Sequence, residues 1–318
     1  MTTTTLRPSA ASPGAGAGDP ATSLRLGTLA SRVGFTWLGV RKTLTIDQRA
    51  LAAEAFGAHR EALSAGKKLL DTRHPAFRAV TAVRGRIVAC WKSSSLPYPE
   101  PGVRLIRREH VEAFDDRLRQ LQTELGETVD RLDAAYPELI EKARERLGAL
   151  FNPGDYPSRL EGFFGLWWDF PGVEPPRYLL ELHPEIYARQ QQQLQARFQQ
   201  AVELAEQAFS EEFARLLGHL TERLRGEDDG RPKVFRDSAI GNLQAFFERF
   251  GELNLTGSDQ LDDLIDQARR LLRGVEPGPL RQSAPLRQRL ADELAGVQAH
   301  IEGLLVDRPR RRILRPDR

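Results

Sequence analysis

Cysteine and long apolar runs are scarce in this chain of 318 residues, which has one cysteine, Cys90. One thiol cannot close a disulfide within the chain or supply a cysteine-rich zinc site. No run of eighteen apolar residues occurs, although a membrane-spanning helix needs one, and the first ten residues lack the apolar centre of a signal peptide. We therefore expect a cytoplasmic protein that makes no membrane contact.

Local motifs of catalysis and nucleotide binding are also missing. The segment Gly66-Lys67-Lys68 fails as a phosphate-binding loop, because Glu61 stands where an earlier glycine belongs and Lys68 replaces the Ser or Thr that holds magnesium. We expect these lysines on a solvated loop or helix face. Cys90 has no histidine partner in a local motif, so we predict a buried small apolar residue there. We predict no catalytic residue and no cofactor.

The histidines and carboxylates do not form a recognisable metal site. No two of the six histidines have the four-residue spacing of a metalloprotease helix. Asp262, Asp263 and Asp266 would place two carboxylates on one helical face. A solvated helix start near the positive end of the helix dipole explains them better than a metal does. We predict no bound metal and a protein that is not an enzyme.

The longest uninterrupted pattern predicts a helix from His183 to Arg225. This stretch has no proline after Pro184 and no glycine before Gly218, and such a helix would span about 65 Å. Nine apolar residues recur every three or four positions and form one stripe. They are Leu194, Phe198, Val202, Ala205, Phe209, Phe213, Leu216, Leu220 and Leu224. The stripe predicts either a core helix of a bundle or a coiled coil between chains of a homo-oligomer.

A second helical pattern runs from Glu109 to Phe151, where apolar residues recur about every 3.5 positions. Pro137 lies within it and should bend the helix or divide it in two, because proline removes a backbone hydrogen bond and clashes with the preceding turn. We expect this segment to pack antiparallel to the helix that begins at His183.

Three short segments have strand patterns. Val33, Phe35 and Trp37 alternate with small or polar residues, where Gly34 would allow a bend or bulge. Residues 103–108 alternate apolar and basic residues, and 159–170 is rich in aromatics. We infer a mostly α fold with a small β-sheet (α+β), which is elongated and has two long antiparallel helices and a C-terminal helical group.

The predicted organisation has four parts. Residues 1–23 are poor in apolar side chains and are expected to be disordered. Residues 24–226 form the main domain with the small sheet and the long helical hairpin. Residues 227–306 form a C-terminal helical region, and 307–318 form a basic tail.

Two segments are candidates for binding. Trp167 and Trp168 belong either to the core of the sheet or, as the alternative, to an exposed partner-binding aromatic face. The tail 307–318 has six arginines and two aspartates, whereas the formal net charge of the whole chain is only +2. This tail is either a solvated end or a site for nucleic acid or an acidic partner. Its candidate residues are Arg308, Arg310, Arg311, Arg312 and Arg315.

Several stretches together resemble an uncharacterised bacterial and phage domain of unknown function. They are SRVGFTWLGVRKTL, the Lys-Lys-Leu-Leu-Asp segment, FGLWWDF and VFRDSAIGNLQAFFERFGELNLTG, within roughly residues 26–275. Members of that family are often encoded beside MoxR-type AAA+ ATPases and von Willebrand factor A proteins. The resemblance implies an accessory role near an ATPase and transfers no site residues.

These observations favour a non-enzymatic scaffold or adaptor that binds protein partners, and the resemblance implies that these partners belong to an AAA+ ATPase system. The alternative is a nucleic-acid-associated phage, plasmid or defence subunit that uses the basic tail. An enzyme, the third class, would need a deep polar pocket near the aromatic sheet, involving residues such as Trp167, Trp168, Arg104 or His110.

Overall fold

The computed structural model describes residues 19–225, 238–254, 257–275 and 277–306. The helices are α1 (Pro20–Gly27), α2 (Ile46–Ala55), α3 (Pro75–Ser93), α4 (Val111–Leu147), α5 (Tyr178–Leu182), α6 (Pro184–Arg225), α7 (Ser238–Leu253), α8 (Asp259–Leu272), α9 (Pro277–Gln282) and α10 (Ala284–Val306). The strands are β1 (Thr28–Thr36), β2 (Arg41–Thr43), β3 (Gly66–Lys68), β4 (Ser95–Pro97), β5 (Arg104–Arg107) and β6 (Gly165–Asp169).

The chain divides into two compact units. The first, called the helical unit, comprises Met1–Thr28, Pro97–Pro99 and Val173–Arg318. The second, called the sheet unit, comprises Leu29–Leu96 and Glu100–Gly172. The predicted fold class, mostly helical with a small sheet, is confirmed.

The division separates the two long helices, because α4 belongs to the sheet unit and α6 to the helical unit. The predicted main domain at 24–226 therefore contains parts of both units. An antiparallel pairing of α4 with α6 would join the two units and stays a prediction.

The helical unit is built on the apolar stripe of α6. All nine residues of the predicted stripe are buried, and α10, α7 and α1 of the same chain pack on this helix. Phe213 stacks on Phe246 with ring centroids 5.4 Å apart, and Phe209 meets Phe250 edge to face at 5.0 Å. The stripe therefore belongs to a core within one chain rather than to a coiled coil between chains.

One prediction about an irregular segment in this unit was wrong. Residues 20–23, expected to be disordered, begin α1, because the Asp19 carboxylate accepts from the Thr22 backbone N–H at 3.2 Å and Leu24 is fully buried. The rest of the predicted disordered tail, 1–18, lies outside the described residues.

The sheet unit contains a four-stranded sheet in the order β4-β5-β1-β6 and a two-stranded sheet of β2 and β3. Strands β1 and β6 are antiparallel, with Arg32 opposite Asp169 and Gly34 opposite Trp167. α2 lies in the connection between β2 and β3. This helix begins with a capping box, because Thr45 Oγ1 accepts from the Gln48 backbone and the Gln48 side chain accepts from the Thr45 backbone.

The core of the sheet unit forms where α3 packs on α4. α3 buries Phe77, Val80, Val83 and Ile87, and its Trp91 packs partly buried against the same core. α4 continues through Pro137 as one helix. Its buried residues on both sides of the proline anchor it to the core, and this packing offsets the cost of about 3 kcal/mol that proline imposes.

Lys67 was predicted to be solvated, and this prediction was wrong. The residue lies on β3 with its side chain only 6 % exposed. Its Nζ is 2.7 Å from Oδ2 of Asp155 and donates to the Leu150 carbonyl at 2.6 Å. Lys42 Nζ approaches the other oxygen of the same carboxylate at 2.5 Å. The two ammonium groups hold the pKa of Asp155 below its usual range.

Candidate functional site

The outer face of β1 and β6 is the most exposed aromatic surface of the sheet, and we call it the tryptophan face. Side chains alternate between the two faces of a strand, so Arg32 and Gly34 of β1 share one face with Trp167 and Asp169 of β6. The Trp167 side chain is 47 % exposed. A large apolar group is thus presented to solvent on a hydrogen-bonded strand pair.

Gly34 provides the space in which the indole lies. A Cβ atom at this position would be only 2.1 Å from Cζ2 of Trp167, so the ring rests directly on the glycine backbone. A glycine in a strand often marks such a close approach. The predicted bend or bulge at Gly34 is instead a flat contact for an aromatic ring.

An ion pair borders this ring. Arg32 binds Asp169 through two contacts, Nε to Oδ1 at 3.0 Å and Nη2 to Oδ2 at 2.7 Å. The hydrogen bond from Arg32 lowers the pKa of Asp169, and the same bond raises the pKa of Arg32. The guanidinium carbon also lies 5.8 Å from the Trp167 ring centroid. Charge and aromatic ring therefore stand side by side in fixed positions.

Trp168 does not belong to this face, which corrects the prediction of a face made by both tryptophans. As the next residue on the strand it points to the opposite side and packs against the core. Its Nε1 donates to Asp115 Oδ1 at 2.6 Å. This bond is the main reason that the pKa of Asp115 is lowered, with Arg119 as the second.

β6 is also an edge strand of the sheet. Its Leu166 carbonyl accepts from Gln122 Nε2 of α4 at 3.0 Å. Phe163 and Phe170, just before and just after the strand, are 41 % and 37 % exposed. Exposed aromatics at a sheet edge are a feature of surfaces that bind proteins.

Arg104, which was considered as a residue of an enzyme pocket, instead forms hydrogen bonds within the sheet unit. It donates from Nε to Ser95 Oγ at 2.8 Å and from Nη2 to the Ser95 carbonyl at 2.6 Å. Burial lowers its pKa to about 10. The indole Nε1 of Trp91, on α3, donates to Oγ of Ser31, on β1, at 3.1 Å. These contacts fix the segment that follows α3, and they occupy Nε and Nη2 of Arg104.

The remaining candidates lie elsewhere or outside the structure. His110 precedes α4, with its Nε2 3.7 Å from Glu109 Oε1. Cys90 is half-buried rather than buried, and burial raises the pKa of its thiol, which disfavours a reactive thiolate. The candidate arginines of the tail, at 307–318, are outside the described residues.

The described part of the chain contains neither a candidate metal site nor a candidate membrane span. No group of three or more His, Cys, Asp and Glu side chains there could hold a metal ion. No helix among the same residues is long and apolar enough to cross a membrane. Comparison of the chain with models of protein families, curated proteins and solved structures found no match.

Proposed function

We propose that the protein is a non-enzymatic adaptor that binds a protein partner through the tryptophan face. The observation that carries this proposal is the exposed Trp167 ring, which is seated on Gly34 and bordered by the Arg32–Asp169 ion pair. Tryptophan and arginine are the residues that most often dominate the energy of protein interfaces.

The contact of the Trp167 ring with the Gly34 backbone supports the use of this face in binding. A side chain that is already fixed loses little entropy when a partner covers it, so more of the contact energy appears as affinity. Truncation of a dominant interface tryptophan costs about 2 kcal/mol or more, which weakens binding by about 30-fold.

The partner we propose is a MoxR-type AAA+ ATPase. The family resemblance described above implies this type of partner, with a von Willebrand factor A protein as the second choice. The exposed aromatics around β6 suit a hydrophobic contact with a protein surface.

The test is affinity capture of the tagged protein from its host, with and without nuclease, and quantification of captured proteins by mass spectrometry. We expect stoichiometric recovery of an AAA+ ATPase that survives nuclease. The Trp167→Ala variant should lose most of it, and purified ATPase should bind this variant about 30-fold more weakly in a direct titration.

Phe56→Ala is the matched control, because Phe56 is an exposed aromatic of the same unit, at 83 %, and directly follows α2. This variant should capture the ATPase as the unmodified protein does. Equal capture by the Trp167→Ala variant would contradict the proposed face, and capture of no ATPase by any form would contradict the adaptor function.

The second candidate is a nucleic-acid-associated subunit that uses the basic tail. It predicts capture that nuclease abolishes and binding to DNA or RNA that weakens steeply with salt. Removal of 307–318 would abolish that binding, whereas capture of the ATPase through the tryptophan face would persist without the tail.

A further inference from the structure

A pocket in the sheet unit lies away from any residue of the tryptophan face. Its volume is about 520 Å³. The pocket is lined by β3, by the segment between β3 and α3, and by the C-terminal end of α4. Among its lining residues are Lys67, Lys68, Asp71, Thr72, Arg73 and Arg146. Its volume falls within the range of small-molecule sites.

The charge of this pocket is strongly unbalanced. Lys68, Arg73 and Arg146 form no ion pair with a carboxylate among the described residues. The charge of Lys67 is already matched by Asp155. One carboxylate, that of Asp71, also lines the pocket, and its Oδ1 accepts from the Arg73 backbone N–H at 3.0 Å.

Neutral groups hold Arg146 in place. Its Nη2 donates to the carbonyl oxygens of Lys68 and Leu69 at 3.2 and 3.3 Å. The Leu69 carbonyl also accepts from the Tyr156 hydroxyl at 3.0 Å. These bonds position the guanidinium without cancelling its charge, and they leave Nε and Nη1 available for a ligand.

The buried ion pair beside the pocket stiffens the same wall. Lys67 is anchored to Asp155 and to the Leu150 carbonyl, so strand β3 is tied to the segment after α4. Lys68 follows Lys67 directly, on the exposed side of the strand. The ion pair therefore anchors the strand that carries Lys68. The carbonyl oxygen of Lys68 in turn accepts the hydrogen bond that positions Arg146.

We propose that this pocket binds the phosphate group of a small soluble ligand. Phosphate matches the donors, because the Arg73 guanidinium offers paired N–H groups to two phosphate oxygens, Arg146 and Lys68 add single charged donors, and the Thr72 hydroxyl supplies a neutral donor. The pocket volume leaves room for an organic group attached to the phosphate. The site does not depend on partner binding at the tryptophan face.

The probe is inorganic pyrophosphate, titrated calorimetrically into the full-length protein at about 0.15 M salt, where charges more than about 8 Å apart are screened. We expect binding at one site. The Arg73→Gln and Lys68→Gln variants change exposed side chains, so they should keep their fold by circular dichroism. Each should bind pyrophosphate about tenfold more weakly, since each loses one charge-assisted contact.

Lys92→Gln is the matched control, because it removes the same charge near the far end of α3, about 25 Å along the helix from Arg73. Its affinity should equal that of the unmodified protein. Absence of heat with the unmodified protein would overturn the proposal. So would equal weakening by all three variants, which would mean general attraction of anions.

A second experiment distinguishes a soluble phosphate ligand from the phosphate of a lipid headgroup. Vesicles of phosphatidylcholine with and without phosphatidic acid are sedimented with the protein. Pyrophosphate binding without vesicle binding supports a soluble ligand. Binding to phosphatidic acid vesicles in the absence of pyrophosphate binding would overturn it in favour of a lipid headgroup.

Discussion

The helical unit and the sheet unit both have apolar cores, but among the described residues they differ in the charged groups that they bury. The helical unit is held by an apolar and aromatic core, and its buried polar residues among those described are Thr28, Ser210 and Thr221. The sheet unit buries Lys67 and the Asp155 carboxylate, whose side chain is 1 % exposed, together with Ser31 and Ser95. Apolar packing tolerates substitutions of similar volume, whereas a buried charge requires its partner.

The tryptophans make the comparison measurable. All four, Trp37, Trp91, Trp167 and Trp168, lie in the sheet unit. Tryptophan fluorescence therefore follows the unfolding of the sheet unit, while far-UV circular dichroism follows the helices of both units. Separate denaturant midpoints from the two signals would mean that the units unfold independently.

The largest effect is expected from Phe213→Ala in the helical unit. Phe213 is fully buried and stacked on Phe246, so truncation should cost about 4 kcal/mol through lost burial and a cavity. The circular dichroism midpoint should fall further than the tryptophan midpoint. Tyr178→Ala, at a side chain that is 61 % exposed, should change either midpoint little. Equal shifts of both signals would show that the two units unfold as one.

The next effect concerns the buried charge of the sheet unit. Asp155→Ala should cost about 3 kcal/mol, because it leaves Lys67 buried without its partner. Lys42→Gln should cost about 1 kcal/mol or less, since the Lys42 side chain is 56 % exposed. The measurement is the tryptophan midpoint in urea.

A double variant sharpens this second prediction. Lys67→Met combined with Asp155→Leu removes both buried charges and should recover most of the lost stability. If it is as unstable as Asp155→Ala, then the two residues stabilise the unit through something other than their mutual attraction.

A smaller effect is expected at the tryptophan face. Gly34→Ala places a methyl group where the Trp167 ring lies, so it should displace the indole and cost about 1–2 kcal/mol. Adding Trp167→Ala should remove the clash and recover stability. Fluorescence emission and the urea midpoint report the two consequences. A Gly34→Ala protein with unchanged emission would contradict the close contact.

The smallest effect is a difference in the pH dependence of the two units. The pKa of Asp155 is lowered by Lys42 and Lys67, so its contribution is present above the unfolded value of about 3.9 and is lost as the pH falls through the folded pKa. The pKa of Asp262 is raised, mainly by burial, so its contribution is complete below about pH 3.9 and is lost as the pH rises through its folded pKa.

Acidification should therefore act on the units in opposite directions at these two residues. As the pH falls through the raised folded pKa of Asp262 toward about 3.9, this residue should stabilise the helical unit, and the Asp262→Asn variant should lack this gain in the circular dichroism midpoint. Below about pH 3.9, the unmodified sheet unit should lose more stability than the Asp155→Asn variant does. A reversed sign at either residue would contradict the assigned environment.

Local patterns predicted the helical unit well. The stripe of α6 needs only the spacing of its apolar residues. The start of α1 was missed because Asp19 and Leu24 stand in a stretch of otherwise weak signals, and the helix depends on packing against α6. Continuation of α4 through Pro137 likewise depends on tertiary packing.

The sites of the sheet unit depend on partners that are distant in sequence. Nothing near Lys67 indicates Asp155, so the lysine looked solvated. The register that seats Trp167 on Gly34 and sends Trp168 to the core was not visible before β1 and β6 were paired. Gly34 was recognised as a glycine within a strand, but this pattern predicted only a bend or bulge and not the contact with the Trp167 ring.

The antiparallel pairing of β1 with β6 has a consequence for how the gene can be rearranged. Because Arg32 lies opposite Asp169, the segment that enters the sheet unit and the segment that leaves it meet at the same end of the sheet. The sheet unit is thus connected like an insertion in the helical sequence, with Pro97–Pro99 as the one excursion back. A cassette exchanged at residues 28 and 172 would need its own counterpart of Pro97–Pro99, because Tyr98 packs on Phe198 of α6 in the helical unit.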